Sequence, residues 1–393
     1  MRAEDWAAGE LDRLREAALF RSASPWPETG GKIRVGGRDV LNFSCTDYLN
    51  LARHPHVVER AERALREAGC GATASRLMTG TLPLHEELEA RLASLKRYPV
   101  ALLFGSGYLA SLGVIPALVG REDTVFADRL AHACLVDGTV LSRATLRRFE
   151  HNDAEHLRKL LKQSGARGRR LIVTESVFSM DGDLAPLPEI AGLASEFEAM
   201  LMVDEAHATG VFGPGGGGLV RQFDLEGAVT VSMGTLSKAL GSYGGFAGGS
   251  KVLRELWVNR ARSFIYSTAL PPPVLGAALG ALDVLEREPT LGSTLLRQAA
   301  GFRQDLEKAG LDTGNSESQI IPIMVGDNAK ALSLSRRLKQ EGVLAVAIRP
   351  PTVPEGSARL RLSVSLAHTP EDLKHAAEAI AAAVQAEGII RPR

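Results

Sequence analysis

One pattern governs the chain between residues 100 and 235: a short apolar run, then a helical stretch, repeated. "VALLF" precedes "GYLASLGVIPALVG", "DTVFAD" precedes "HACLVDGTVLS", "TLRRF" precedes "AEHLRKLLKQS" and "RLIVTESV" precedes "LPEIAGLASEF"; "AMLMVDEAH" and "AVTVSM" follow. Continuous apolar runs belong to strands covered on both faces, and intervening helices supply the crossovers that parallel pairing requires. Residues 50–280 are therefore predicted to form one large α/β domain. Residues 1–49 precede it with a helix at 3–20 and a hairpin, "KIRVGGRDVLNFS", turning at Gly36-Gly37. Two further helices, "HPHVVERAERALREAG", stopped by Gly69, and "LPLHEELEARLASLK", lead into the repeat. After Pro271–Pro273 come two long helical stretches, then "SQIIPIMVG", a helix at 328–340, "LAVAI", "ARLRLSVSL" and a last helix. Residues 281–393 are predicted to be a smaller α+β domain.

Composition narrows the function. Lys+Arg and Asp+Glu both total 46, which removes the basic footprint of a nucleic-acid binder. No apolar run approaches the roughly 20 residues of a membrane span, and the first residues lack an apolar signal core. Cys45, Cys70 and Cys134 form neither a CxxC pair nor a metal-like cluster, so no metal is expected and a reduced, cytoplasmic protein is.

In a parallel sheet, ligands bind beyond the C-terminal ends of the strands, so the residues after each run carry the chemistry. "GSGYLAS" follows the first run; the amides of Gly107 and Tyr108 at a helix start form an anion site or a plain glycine turn. His132 opens another helix, as ligand contact or as cap. Ser179 follows the fourth run, near Asp181 and Asp183. "DEAH" (204–207) follows an apolar run, and a carboxylate buried there needs a partner. The helicase meaning of that tetrapeptide fails, because the one Gly-Lys pair, Gly31-Lys32, has Trp26 and Ile33 where a phosphate loop needs Gly and Ser/Thr. "GPGGGG" at 213–218 matches a dinucleotide fingerprint only through its excess of glycine. "TVSMGTLSKALGSYGGF" sets Lys238 among Thr235, Ser237, Gly241, Gly244 and Gly245. A lysine for an imine, a carboxylate for a ring nitrogen and hydroxyls for a phosphate together suit pyridoxal phosphate (PLP); the glycines are expected to let backbone pass close to it.

Jointly, "FSMDGDLAPL", "VDEAHATGVFG", "GTLSKALGSYGG", "FIYSTALPP" and "IRPPTVP…ARLRLSVSLAH" resemble the α-oxoamine synthase family of fold-type I PLP enzymes, over nearly the whole chain. The resemblance implies a large domain with a mostly parallel seven-stranded sheet and a smaller α+β C-terminal domain. It implies Lys238 as the Schiff-base lysine, Asp204 on the pyridine nitrogen, His207 on the ring hydroxyl and His132 stacked on the ring. Gly107, Tyr108, Ser179 and Thr235 would contact the cofactor, and Ser267 and Thr268 would reach the phosphate of a partner in a homodimer with shared sites. Arg361 would bind the amino-acid carboxylate, with Thr46 where the family often has asparagine. Arg349, Thr352 and Arg21 would line the acyl side. "IRPPTVP", "SRLMTGTLPLHEELE" and "LRRFEHND" resemble the branch that condenses L-alanine with a pimeloyl thioester, of coenzyme A or acyl carrier protein, for biotin; a glycine acetyltransferase-like activity is the alternative.

Overall fold

The computed structural model describes residues 3–23, 25–26, 30–165 and 167–389. In chain order its strands are β1 (Lys32–Val35), β2 (Arg38–Asn42), β3 (Val100–Phe104), β4 (Thr124–Asp128), β5 (Thr145–Phe149), β6 (Arg170–Glu175), β7 (Met200–Asp204), β8 (Val231–Thr235), β9 (Gly245–Gly249), β10 (Ile320–Gly326), β11 (Val343–Leu344), β12 (Ala347–Ile348) and β13 (Ala358–Ser363). Contacts divide the chain into two compact units: residues 49–179 with 183–294, and residues 1–48 with 180–182 and 295–393.

The larger unit is built on a seven-stranded sheet in the order β3-β9-β8-β7-β6-β4-β5. Strands β8, β7, β6, β4 and β5 pair in parallel. β9 runs against both of its neighbours. The runs that nominated the strands are buried, with Leu102, Val125, Phe126, Ile172, Leu201, Met202 and Val231 all at 0% exposure. β9, "GFAGG", carries little apolar signal, and its glycines are steric: a Cβ on Gly249 would lie 2.7 Å from the Trp257 ring. The chain adds β5 on one side of β4 and β6 on the other, so the direction of winding reverses between β4 and β6. Beyond the C-terminal ends at such a reversal lies the ligand crevice of an open α/β sheet.

The smaller unit corrects the expected boundaries. Residues 1–48 do not stand apart: β2 pairs in parallel with β11, and the Phe43 ring stacks on His368 at 4.4 Å. An isolated two-stranded hairpin is marginal in water, and the third strand and this packing complete it. A second sheet, β10-β13-β12, carries the C-terminal part. Residues 281–294 remain with the larger unit. Helix Pro272–Arg287 lies on helix Pro55–Ala68 closely enough that a Cβ on Gly276 would stand 2.5 Å from the Arg60 carbonyl. The reading that placed the boundary soon after the prolines missed that contact.

Candidate active site

The site is assembled from the ends of adjacent strands. β7 terminates at Asp204, 5% exposed, and β6 terminates one strand over at Glu175, 2% exposed and in register with it. The Asp204 side chain turns the chain by accepting from the Ala206 N–H at 2.8 Å. The residue after Ala206, His207, is buried. Burial raises the pKa of Asp204, while the charge of Lys238 and the Ala206 N–H oppose the rise. Glu175 is raised for the same first reason, then by Asp204, against Lys238 and the N–H groups of His132 and Ser179. Two desolvated carboxylates beside one ammonium leave the cluster short of positive charge.

Lys238 itself is half-buried, in the connection between β8 and β9. Its surroundings are tied by Thr235, whose hydroxyl donates to the Gly244 carbonyl at 2.8 Å and lies 2.7 Å from the Ser237 hydroxyl. Two of the glycines here admit neighbouring protein. A Cβ on Gly241, at φ +58°, would lie 2.4 Å from the Ala52 nitrogen, and one on Gly245 would lie 2.3 Å from the Gly107 nitrogen. Close approach of neighbouring backbone is what these two positions require.

Helix Gly107–Leu118 starts beside this connection, Gly107 lying against Thr235 and Gly234. Ser106 caps it by accepting from the Leu109 N–H at 3.1 Å, which leaves the amides of Gly107 and Tyr108 at the positive end of the helix. The exposed Tyr108 hydroxyl donates to Asp137. Ser179, 8% exposed, lies in a hairpin closed by the Val177/Leu184 bridge. His132 is the helix cap expected of it. As N-cap of helix Ala133–Ser142, its Nδ1 accepts from the Cys134 N–H at 3.2 Å and lies 3.0 Å from the Cys134 sulfur. An accepting Nδ1 assigns the ring proton to Nε2. Desolvation lowers its pKa, against Asp204 and with Lys238, so the ring is neutral with a donor N–H. Its own backbone N–H donates to Glu175 at 2.8 Å. Cys134 is an inert thiol, pushed up by burial and by Asp204. Ser267 and Thr268 follow at the segment bridged by Thr268 to Ser75, with Thr268 exposed.

Apart from His132, which was expected to touch the substrate as well as the cofactor, the expected substrate residues lie in the smaller unit. Arg361, on β13, donates to the hydroxyl of fully buried Tyr48 at 3.2 Å. Thr46 precedes that tyrosine, its carbonyl accepting from the Tyr48 N–H at 2.8 Å. Arg21 donates to the Pro350 carbonyl at 3.1 Å and toward the Thr352 hydroxyl at 3.4 Å. Arg349 is buried and donates to the carbonyls of Ala18 and Phe20. Its guanidinium braces the segment that carries Arg21, where direct contact with the acyl substrate was expected. Burial and then the charge of Arg21 lower the pKa of Arg349, as two neighbouring cations without a carboxylate partner among the described residues should.

Residues 38–380 match the aminotransferase class I and II family. The chain belongs to that family. It is 48% identical over 386 residues to 8-amino-7-oxononanoate synthase of Geobacter sulfurreducens, covering 98% of this chain and 99% of that one. Serine palmitoyltransferase from S. paucimobilis, solved with PLP and myriocin bound, superposes with a TM-score of 0.92 at 30% identity, over 98% of both chains. A solved 8-amino-7-oxononanoate synthase from Francisella tularensis gives 0.76 at 28% identity, over 89% of this chain and 99% of that one. The family is PLP-dependent, and the residues present fit that cofactor. A protonated ring nitrogen answers the charge deficit at Asp204, Lys238 offers an amine, and the helix-start amides suit a phosphate. Glu175 was not anticipated, although it ends its apolar run just as Asp204 ends the next.

Proposed function

We propose that the chain catalyses the decarboxylating condensation of L-alanine with a pimeloyl thioester, giving 8-amino-7-oxononanoate for biotin biosynthesis. The observation that carries this reading is 48% identity along 98% of the chain to a synthase of that name, with Lys238, Asp204 and His132 at the strand ends. Bound PLP supplies an aldehyde that joins to primary amines and a ring that accepts the electrons of a carbanion. Asp204 keeps the proton on the ring nitrogen. Lys238 holds the cofactor and then takes the Cα proton of alanine as general base. His132, neutral, would pack against the cofactor and offer Nε2–H to an oxygen of the bound substrate. His207 bonds the ring hydroxyl. The amides of Gly107 and Tyr108 hold the phosphate, with Ser179, Thr235 and, from a second copy, Ser267 and Thr268. Arg361 takes the alanine carboxylate, and Arg21 with Thr352 takes the far carboxylate of the acyl chain. The protein works as a cytoplasmic homodimer.

The higher TM-scores of the serine palmitoyltransferase structures favour a second reading, condensation of serine with a long acyl thioester. A TM-score follows the shared backbone, whereas substrate choice follows side chains, and there the identity favours alanine and pimeloyl. The deciding experiment offers alanine, glycine and serine against pimeloyl, acetyl and palmitoyl thioesters and identifies products by mass. Alanine with pimeloyl is expected to dominate; a preference for serine with palmitoyl would transfer the assignment to the second reading.

A further inference from the structure

One heavily bonded side chain at the strand ends has no part in the roles above. His151 leaves β5, its Nδ1 3.0 Å from Asp128 Oδ1 and its Nε2 2.7 Å from Asp183 Oδ2. An ionised carboxylate only accepts, so each contact needs a proton on the ring nitrogen, and the ring is an imidazolium. Burial works to lower its pKa, but the hydrogen bonds to Asp128 and Asp183 outweigh it and hold the ring up to about 10. The other charges nearby, Arg129 and Glu150, pair with each other at 2.6 Å on the surface.

The two carboxylates govern two different loops. Asp128, 0% exposed, accepts from the Leu130 N–H at 2.8 Å and so shapes the turn that ends in His132. It also accepts from the Asn152 N–H at 2.9 Å. Asp183, 6% exposed, closes the hairpin around Ser179, its carbonyl accepting from the Phe178 N–H at 3.0 Å. The Phe178 ring stands edge-on to His151 at 4.4 Å. Asn152 adds a bond from its side chain to Asp183 at 3.0 Å.

We infer that His151 is a positioning residue for PLP: its charged ring clamps the turn that ends in His132 to the hairpin that carries Ser179. The inference rests on the PLP reading of the site. Without the imidazolium, two buried carboxylates lose the one positive charge between them, and the two loops are joined here by the neutral donors of Asn152 instead.

The test measures PLP retention by purified holoenzyme on serial dilution, with a urea unfolding curve for each variant. His151→Gln, which keeps a donor but no charge, should weaken PLP binding about tenfold or more, the scale of one charged hydrogen bond. Adding Asp183→Asn to it removes one of the opposed charges and should recover at least about threefold of that loss. A His151→Gln enzyme that binds PLP as tightly as wild type overturns the inference, as does a double variant no better than the single. Were His151→Gln too unstable to purify, Asp183→Asn alone, with the ring intact, should show a smaller loss of PLP affinity, and full affinity would overturn the inference. A wild-type chain that retained no PLP would instead unseat the cofactor assignment.

Discussion

Replacing Asp204 by asparagine should move activity and stability in opposite directions. Asp204 is buried and its pKa is raised, first by desolvation. A carboxyl whose folded pKa lies above its unfolded value binds its proton more tightly in the folded chain. Stability then falls as pH rises from the ordinary carboxylate range to the folded pKa, and the cost is complete above it. In the PLP-free chain Lys238 and the Ala206 N–H oppose that cost. Asp204→Asn removes the charge, keeps the size and keeps an oxygen for Ala206, so the PLP-free variant should gain about 1–3 kcal/mol, a few degrees in Tm. Turnover should move the other way. A neutral amide does not hold a proton on a pyridine nitrogen, and the loss of such a placed charge costs about 3–4 kcal/mol at the transition state, roughly 150-fold or more in kcat. The assays are thermal melting of PLP-free protein across pH 4–9 and steady-state kinetics at saturating PLP. Wild-type kcat in the variant would refute the role of Asp204 on the ring nitrogen. A lower Tm than wild type without PLP would refute the electrostatic account of the site.

Three further outcomes are expected. Lys96 and Glu205 form a 2.8 Å ion pair at 1% and 0% side-chain exposure, Glu205 also accepting from Ser232 and the Val220 N–H. Lys96→Met should therefore cost about 3–5 kcal/mol in urea unfolding, and Lys96→Met with Glu205→Gln should cost less than Lys96→Met alone. Mixing inactive Lys238→Ala chains with Ser267→Ala/Thr268→Ala chains should restore part of the activity by forming one intact hybrid site per dimer, whereas a fully active monomer in sedimentation would exclude shared sites. Arg361→Ala should raise the alanine KM, while Arg21→Ala and Arg349→Ala should each raise the pimeloyl thioester KM about tenfold or more and leave alanine unaffected, as two-substrate kinetics would report.

What the sequence disclosed, and what it hid, divides by range. Strands β3, β4, β6 and β7 announced themselves as continuous apolar runs, because a strand covered on both faces has no polar side to interrupt it, whereas β5, "TLRRF", lies at the sheet edge with its arginines partly exposed. The same logic located Asp204 and would have located Glu175: a carboxylate closing such a run stands at the mouth of the sheet. Features whose partners lie far along the chain left no local mark. β2 meets β11 across some three hundred residues, so the N-terminal hairpin read as a separate segment. Arg349 looked like an anion ligand because arginine's fork suits carboxylates, but the sequence did not show that its terminal nitrogens also donate to the carbonyls of Ala18 and Phe20. The glycines after Lys238 read as room for a cofactor, and two of them are room for Ala52 and Gly107. His151 lay in plain view in "FEHND", but its meaning depends on Asp128 and Asp183, each more than twenty residues away and each ending or following a different strand. Strand-end residues are thus legible one at a time, while the charge balance among them, which sets whether Asp204 keeps a ring nitrogen protonated, exists only after β4, β5, β6 and β7 have been placed side by side.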